Sequence, residues 1–305
     1  MSEGITPSLD ELVALRRAVV GRRPPRRGYH GLSGQAPSAV RGRGMEYAES
    51  REYAIGDDAR HIDWRLTART GKPHTKLFQA ERERLTLIVA DTSPTLYFGT
   101  RVRFKSVQAA RAGALAAWVA VRDGDRIAAL RGTSAEAPVV PVAGVRGALR
   151  VLDAMVRWYA RAPDRDDGFA VALDHADRLA RPGTRLVVLA DPLSAVGIPQ
   201  TRWSTLAQHR EVVVLLLSDP LEREPPATRL PFLVERMAAS GVTVTRKVEL
   251  DLDGDGLRRR WRDAFVTPMQ QVQDTLARTG IRSFELSTEA PSDGWLSLLA
   301  GARGT

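Results

Sequence analysis

Three runs of unbroken apolar character punctuate the chain: Leu85-Thr86-Leu87-Ile88-Val89-Ala90, Leu186-Val187-Val188-Leu189-Ala190 and Val212-Val213-Val214-Leu215-Leu216-Leu217. Their length and β-branching predict strands buried on both faces. Between them, apolar residues recur at helical spacing. Phe104, Val107, Ala114, Ala117, Trp118 and Val121 predict one helix, after which Asp123-Gly124-Asp125 turns the chain into a further strand over 126–130. Val145, Leu149, Leu152, Val156 and Tyr159 predict a helix at about 145–161 with those residues on its buried face, and another covers 169–181. A strong helix over 256–278 and a strand over 282–286 close the pattern. Fully apolar strands alternating with helices define an α/β fold, a Rossmann-like and mostly parallel sheet with helices on both faces. Such sheets bind ligands beyond the carboxyl ends of their strands. That rule singles out Asp91 and Asp191, each one residue past an apolar run.

The flanks differ in character. Ser8 and Glu11 form an S-x-x-E capping-box pair ahead of Leu12, Leu15 and Val19, predicting an amphipathic helix over 9–20 that ends at Gly21. Residues 21–44 are Gly, Pro, Arg and Ser with few large apolar side chains, a composition that cannot bury enough surface to order itself. The chain therefore divides into an N-terminal helix with an Arg-rich arm (1–44), a charge-dense segment (45–84), the α/β domain (85–290) and a tail (291–305).

The net charge is +9, and only Lys72, Lys76, Lys105 and Lys247 are lysines among 45 basic residues. Arg16, Arg17, Arg22, Arg23, Arg26, Arg27, Arg41 and Arg43 crowd one N-terminal stretch, which would attract an acidic protein surface, anionic lipid or nucleic acid. With only Tyr29 interleaved, the arm lacks base-stacking aromatics, so an acidic partner is the preferred reading and nucleic acid the alternative. Cysteine is absent, which removes disulfides and thiolate chemistry. No window reaches the roughly 18 to 20 apolar residues of a membrane helix, and the first residues carry no signal pattern. A cytoplasmic protein without a membrane span is expected.

Three constellations carry candidate chemistry. Asp91-x-Ser93-x-Thr95 sets a carboxylate and two hydroxyls at alternate loop positions, where hard oxygens suit Mg²⁺ and Asp191 could add a second carboxylate. The same residues equally suit a cap on the helix starting near Arg103. Arg51-x-Tyr53-x-x-Gly56-Asp57-Asp58-x-Arg60-x-Ile62-Asp63-Trp64, with Ala68-Arg69 beyond, interleaves acids and arginines and offers Trp64 as an anchor against a core. Asp251-x-Asp253-Gly254-Asp255-Gly256 starts like a calcium loop. Arg262 stands where the bidentate glutamate belongs, so these acids are read as a turn and helix caps. Phosphatase, serine-hydrolase and P-loop motifs are incomplete or absent, and the five histidines show no metal-ligand spacing.

The run from Arg51 to Arg69, followed by L-T-L-I-V-A-D-T-S-P-T, resembles the bacterial domain-of-unknown-function 58 family, whose central part is similar to a von Willebrand factor A domain. The resemblance implies a metal-ion-dependent adhesion site of the D-x-S-x-S kind, with Asp91, Ser93, Thr95 and Asp191 as metal residues and Mg²⁺ as the cofactor. It also implies a MoxR-type AAA+ ATPase partner. Adhesion sites carry a threonine in the loop before the helix that here starts near Phe169, and residues 164–169 contain none, so Asp166 or Asp167 would have to stand in. The expected function is a non-enzymatic adaptor presenting a client protein to the ATPase, with Arg51, Tyr53, Gly56, Asp57, Asp58, Arg60, Asp63, Trp64 and Arg69 contacting a partner. The alternative from another class is a metal-dependent phosphoesterase or nuclease built on Asp91, Asp191 and the carboxylates of Asp57, Asp58 and Asp63.

Overall fold

The computed structural model describes residues 4–20, 45–54, 56–80, 84–162, 166–237 and 243–300. The arm, 21–44, with Arg22, Arg23, Arg26, Arg27, Arg41 and Arg43, lies outside them. The chain forms two compact units, Met1–Arg26 with Arg84–Thr305, and Arg27–Glu83.

At the start of the larger unit, the expected single helix is two: α1 (Leu9–Ala14) and α2 (Arg16–Val20), parted at Leu15. Ser8 accepts a hydrogen bond from the Glu11 N–H, yet the Glu11 carboxylate does not complete the capping box and instead pairs with Arg111. Buried Leu12 and the bond from the Trp118 indole to the Leu12 carbonyl dock this pair on the main domain.

The smaller unit holds β1 (Met45–Glu52) and β2 (His74–Ala80), an antiparallel pair, with α3 (Trp64–Thr70) between them in sequence. Its strands escape a reading based on apolar runs because they are rich in charge.

The main domain is built on β3 (Leu85–Ala90), β4 (Arg126–Arg131), β5 (Val139–Ala143), β6 (Arg185–Ala190) and β7 (Glu211–Ser218). A separate antiparallel ribbon follows, β8 (Arg229–Met237) with β9 (Thr243–Asp251), and β10 (Arg282–Ser287) returns to the sheet. The sheet order is β5-β4-β3-β6-β7-β10, parallel throughout except for β5 at the edge. Numbered along the chain, these six strands run 3-2-1-4-5-6, the order of a doubly wound sheet whose direction reverses between its first and fourth strands. Here those are β3 and β6, the strands that deliver Asp91 and Asp191. β5 went unpredicted because Pro141 interrupts it, and an edge strand tolerates that.

Alternation along β3 sorts its side chains between two cores. Ile88 and Ala90 pack with α4 (Lys105–Asp123) and α5 (Gly144–Tyr159), whereas Leu87 and Val89 pack with α6 (Phe169–Leu179). On that second face the short α7 (Pro192–Ala195) and α8 (Gln200–Ala207) join the core, and α9 (Pro220–Arg223) follows β7. Of the expected α5 face, Leu152 and Tyr159 are fully buried and Val156 packs against the core, but Val145 and Leu149 are 41% and 40% exposed, and Ala148, Val151, Met155 and Trp158 are buried as well. At Gly147 an added Cβ would sit 2.1 Å from the Val142 carbonyl oxygen, so this close approach of α5 to β5 requires glycine.

The long C-terminal helix is α10 (Asp255–Trp261) and α11 (Thr267–Arg278) joined by a π-helical turn, Arg262–Val266. As expected for a turn, Asp251 accepts the Asp253 N–H, and Gly254 occupies the N-cap. A last short helix, α12 (Ser297–Ala300), lies in the segment read as a tail, and Trp295 beside it is fully buried in the first core.

Candidate functional site at the carboxyl edge of the sheet

Three neighbouring strands end in an aspartate: Asp91 after β3, Asp191 after β6 and Asp219 after β7. Asp191 and Asp219 are each followed by proline and cap a short helix, the side chain accepting an N–H while proline supplies the first helical position. Asp91 does something else. Its Oδ1 accepts the Ser93 N–H and its Oδ2 accepts the Asp191 N–H, both at 2.9 Å, so one carboxylate staples the β3 loop to the β6 loop where the sheet reverses. It does not cap the helix expected near Arg103, which begins at Lys105 with Phe104 at the N-cap. Burial pushes the Asp91 carboxyl up to about 6, against the pull of the two N–H donors.

The Asp191 carboxylate is also engaged. Oδ1 accepts the Leu193 N–H at 2.8 Å, and Oδ2 accepts the Lys105 ammonium at 2.7 Å. Lys105 donates at 2.6 Å to Glu222 as well, and its side chain is 1% exposed. Burial alone would pull this lysine down, but the two carboxylates outweigh it and hold the ammonium charged. Glu222 is raised, first by burial and further by nearby Asp191, with Lys105 opposing.

Beside these carboxylates lies a linked set of hydroxyls. Ser93 Oγ lies 3.1 Å from Thr95 Oγ1 and accepts the Ser194 hydroxyl at 3.0 Å; Ser93 is half-buried and Thr95 exposed. The two candidate stand-ins for the absent threonine are engaged elsewhere. Asp166 accepts the Thr92 hydroxyl at 2.6 Å and the Gly168 N–H at 2.7 Å, and Asp167 accepts the Ser134 N–H and hydroxyl. Among the described residues, no group of three or more His, Cys, Asp or Glu side chains is arranged to hold a metal ion. Mg²⁺ is ordinarily held through one or two carboxylates, and here both carboxylates of the expected set already accept protein donors on each oxygen.

Asp91, Ser93, Thr95 and Asp191, singled out from sequence, thus lie together, while Lys105, Glu222 and Ser194 were missed. Lys105 had a signal: a lysine kept at the start of an apolar helix, in a chain whose other basic residues are almost all arginine. A compact ammonium fits between two carboxylates where a forked guanidinium does not.

The remaining candidates lie in the smaller unit and largely serve its own turns. Arg51 pairs with Asp57 at 2.7 Å, Asp57 accepts the Ala54 N–H, and the Tyr53 hydroxyl donates to the Asp57 carbonyl. Gly56 has φ +108, which suits glycine. Asp58 caps the turn Ala59–His61, and the hydrogen bonds from Arg60 hold its carboxyl at about 2. Asp63 caps α3 and accepts the Ser50 hydroxyl. Trp64 is not the anchor expected. It is 70% exposed, because Asp63 starts the helix with its next residue turned to solvent, and Arg69 is exposed as well.

The protein-of-unknown-function DUF58 family model matches residues 49–266, spanning the signature segment, the three strand-end aspartates and Lys105. The chain belongs to the DUF58 family. Relatives of this DUF58 protein include the uncharacterized protein Rv1480 of Mycobacterium tuberculosis and the uncharacterized protein Mb1516 of Mycobacterium bovis, each 33% identical over 262 residues, covering 85% of this chain and 79% of the relative. A crystal structure of the conserved hypothetical protein BatB from Bacteroides thetaiotaomicron aligns with 71% of this chain and 98% of its own at 13% identity and a TM-score of 0.37.

Proposed function

We propose that this DUF58 protein is a non-enzymatic adaptor of von Willebrand A-like architecture that couples a MoxR-type AAA+ ATPase to a client protein, using the carboxyl edge of its sheet to bind the ATPase. One observation carries the recognition role. At the crevice where doubly wound sheets bind ligands, each oxygen of Asp91 and Asp191 accepts a protein donor, and beside them lies a linked set of hydroxyls, exposed at Thr95 and half-buried at Ser93 and Ser194. Hydroxyls that both donate and accept suit a polar partner surface. The ATPase partner rests on what the resemblance of the 51–69 run implies.

The reading includes a metal-free site. Lys105 supplies beside Asp191 the positive charge that a divalent ion would bring to an adhesion loop, and it does so with a covalently fixed ammonium. Thermal melts in millimolar Mg²⁺, Mn²⁺ or Ca²⁺ should superpose on melts in chelator. A metal-dependent rise that disappears in Asp91→Asn would show instead that a cation binds here. For the adaptor role, purified chain and purified MoxR-type ATPase from the same organism, mixed with ATP and Mg²⁺, should co-elute in size exclusion. Separate elution at micromolar concentrations would sink the reading.

A further inference from the structure

Beside Thr95 a cavity of about 450 Å³ opens between the strand-end loops and the β8–β9 ribbon. Phe98, Leu193, Phe232, Leu250, Trp261 and Phe265 form its walls, and Glu222, already bonded to Lys105, touches it. Its size lies in the range of pockets that enclose a ligand group, and its lining is apolar. Trp261 is the keystone. Its ring lies 5.8 Å from Phe232 and 4.8 Å from Phe265, and its indole N–H donates to the carbonyls of Leu221 and Glu222 at 3.1 Å. That bond ties the cavity wall to the segment that presents Glu222 to Lys105. The π-helical turn just after Trp261 brings Ala264 and Phe265 into the lining, and such turns recur at functional sites.

The surroundings are basic. Arg258, Arg259, Arg260 and Arg262 flank Trp261, and among the described residues none of the four has an ion-pair partner. Arg260 reaches the cavity, while Arg258 and Arg262 line a second cleft of about 1010 Å³ that Trp261 also lines; Arg101 and Arg223 there are paired with Glu289 and Glu285, and Glu224 joins the lining, so Arg258 and Arg262 are the cations it offers to a ligand. A ligand filling both must carry a large apolar group at one place and several negative charges along a few residues' length. Trp261 is too buried to offer a stacking face, which disfavours nucleic acid.

We infer that this face docks an acidic segment of the client protein, with one large apolar side chain seated in the Trp261 cavity and its carboxylates against Arg258 to Arg262. The inference rests on the recognition role proposed for the Asp91 edge, and it assigns the client to a surface that edge does not itself provide. Anchors of this kind dominate interface energetics when they enter a preformed pocket.

Fluorescence anisotropy with the full chain tests it, using a labelled acidic peptide with one central phenylalanine and the same peptide with alanine there. The phenylalanine peptide should bind at least about tenfold more tightly. Ala264→Trp, which fills the cavity from its rim, should erase that difference. Arg258→Glu with Arg262→Glu, both on the surface, should weaken both peptides about tenfold or more and flatten the salt dependence. Equal binding of the two peptides, or binding that survives both variants, overturns the inference, as does no binding tighter than about 1 mM. A single-stranded oligonucleotide or phosphatidylserine vesicles that bind wild type but not the arginine variant, where the peptides do not bind, would also overturn it. ATPase co-elution is read separately. Its loss with peptide binding intact removes the adaptor reading alone, and the converse removes this inference alone.

Discussion

The two ends of the central sheet both bury charge, and they do so in opposite ways. At the amino end, Arg84, Arg185 and Arg282 meet Asp123, Asp125 and Glu211, cation for anion, with Arg185 bonded at 3.0 Å to both Asp123 and Glu211. Despite burial, the arginines hold Glu211 below its ordinary value, and its carboxylates raise Arg185. At the carboxyl end, Lys105 stands against Asp191 and Glu222, with Asp91 bonded to the Asp191 backbone, and both Asp91 and Glu222 are pushed up. Matched charge closes one end as structure, whereas the other keeps an excess of buried carboxylate, an arrangement that marks functional sites.

The contrast can be broken most forcefully at its single cation. Lys105→Met leaves Asp191 and Glu222 buried without a counter-charge and should cost about 3–5 kcal/mol in urea unfolding. Lys105→Met with Glu222→Gln should recover part of that loss. No recovery would mean that the ammonium acts through packing alone.

Proton linkage sharpens the contrast with opposite signs. Folded Asp91 keeps its proton up to about pH 6, whereas the unfolded side chain loses it near 3.8. Between those values the folded state binds more protons, so this group's contribution falls as pH rises, by about 3 kcal/mol in all. Glu211 behaves conversely: its folded value is depressed, so its contribution is complete above the unfolded value of 4.5 and is lost as pH falls through the folded one. Stability measured against pH should lose its decline between about 4 and 6 in Asp91→Asn and lose part of its acid limb in Glu211→Gln. Unchanged slopes in both variants would dissolve the contrast between the two ends.

The smallest effects are expected at groups that face solvent. Trp64→Ala and the double change Ser93→Ala with Thr95→Ala should shift stability by no more than about 0.5–1 kcal/mol, measured by denaturant midpoint. A larger loss at Ser93 and Thr95 would give the hydroxyls a structural duty in place of recognition.

Much of this was legible in the residues because the physics is local. Apolar runs such as Leu186 to Ala190 announce doubly covered strands, and an aspartate one residue beyond announces the sheet's carboxyl edge. The β8–β9 ribbon and the β1–β2 pair stayed hidden, since Pro231 interrupts the apolar residues of β8 and charged residues break up those of β9 and β1. Along α5 the expected face holds at Leu152 and Tyr159, while Val145 and Leu149 are exposed, because helical periodicity does not say where a neighbouring element stops covering the helix. Lys105 and Glu222 converge on Asp191 from 86 and 31 positions away, a proximity that no local motif encodes. The Trp64 expectation failed for a related reason: an aromatic residue signals an anchor only where something packs over it.

The most direct measurement is the affinity of the purified MoxR-type ATPase for this chain by isothermal titration calorimetry, compared between wild type and the Ser93→Ala, Thr95→Ala double variant at matched melting temperature. If the carboxyl edge is a recognition surface whose cation is Lys105 and whose recognition groups are hydroxyls, wild type binds and the double variant loses about tenfold or more in affinity. Equal affinity in the two proteins would place recognition elsewhere and contradict the function assigned to this edge.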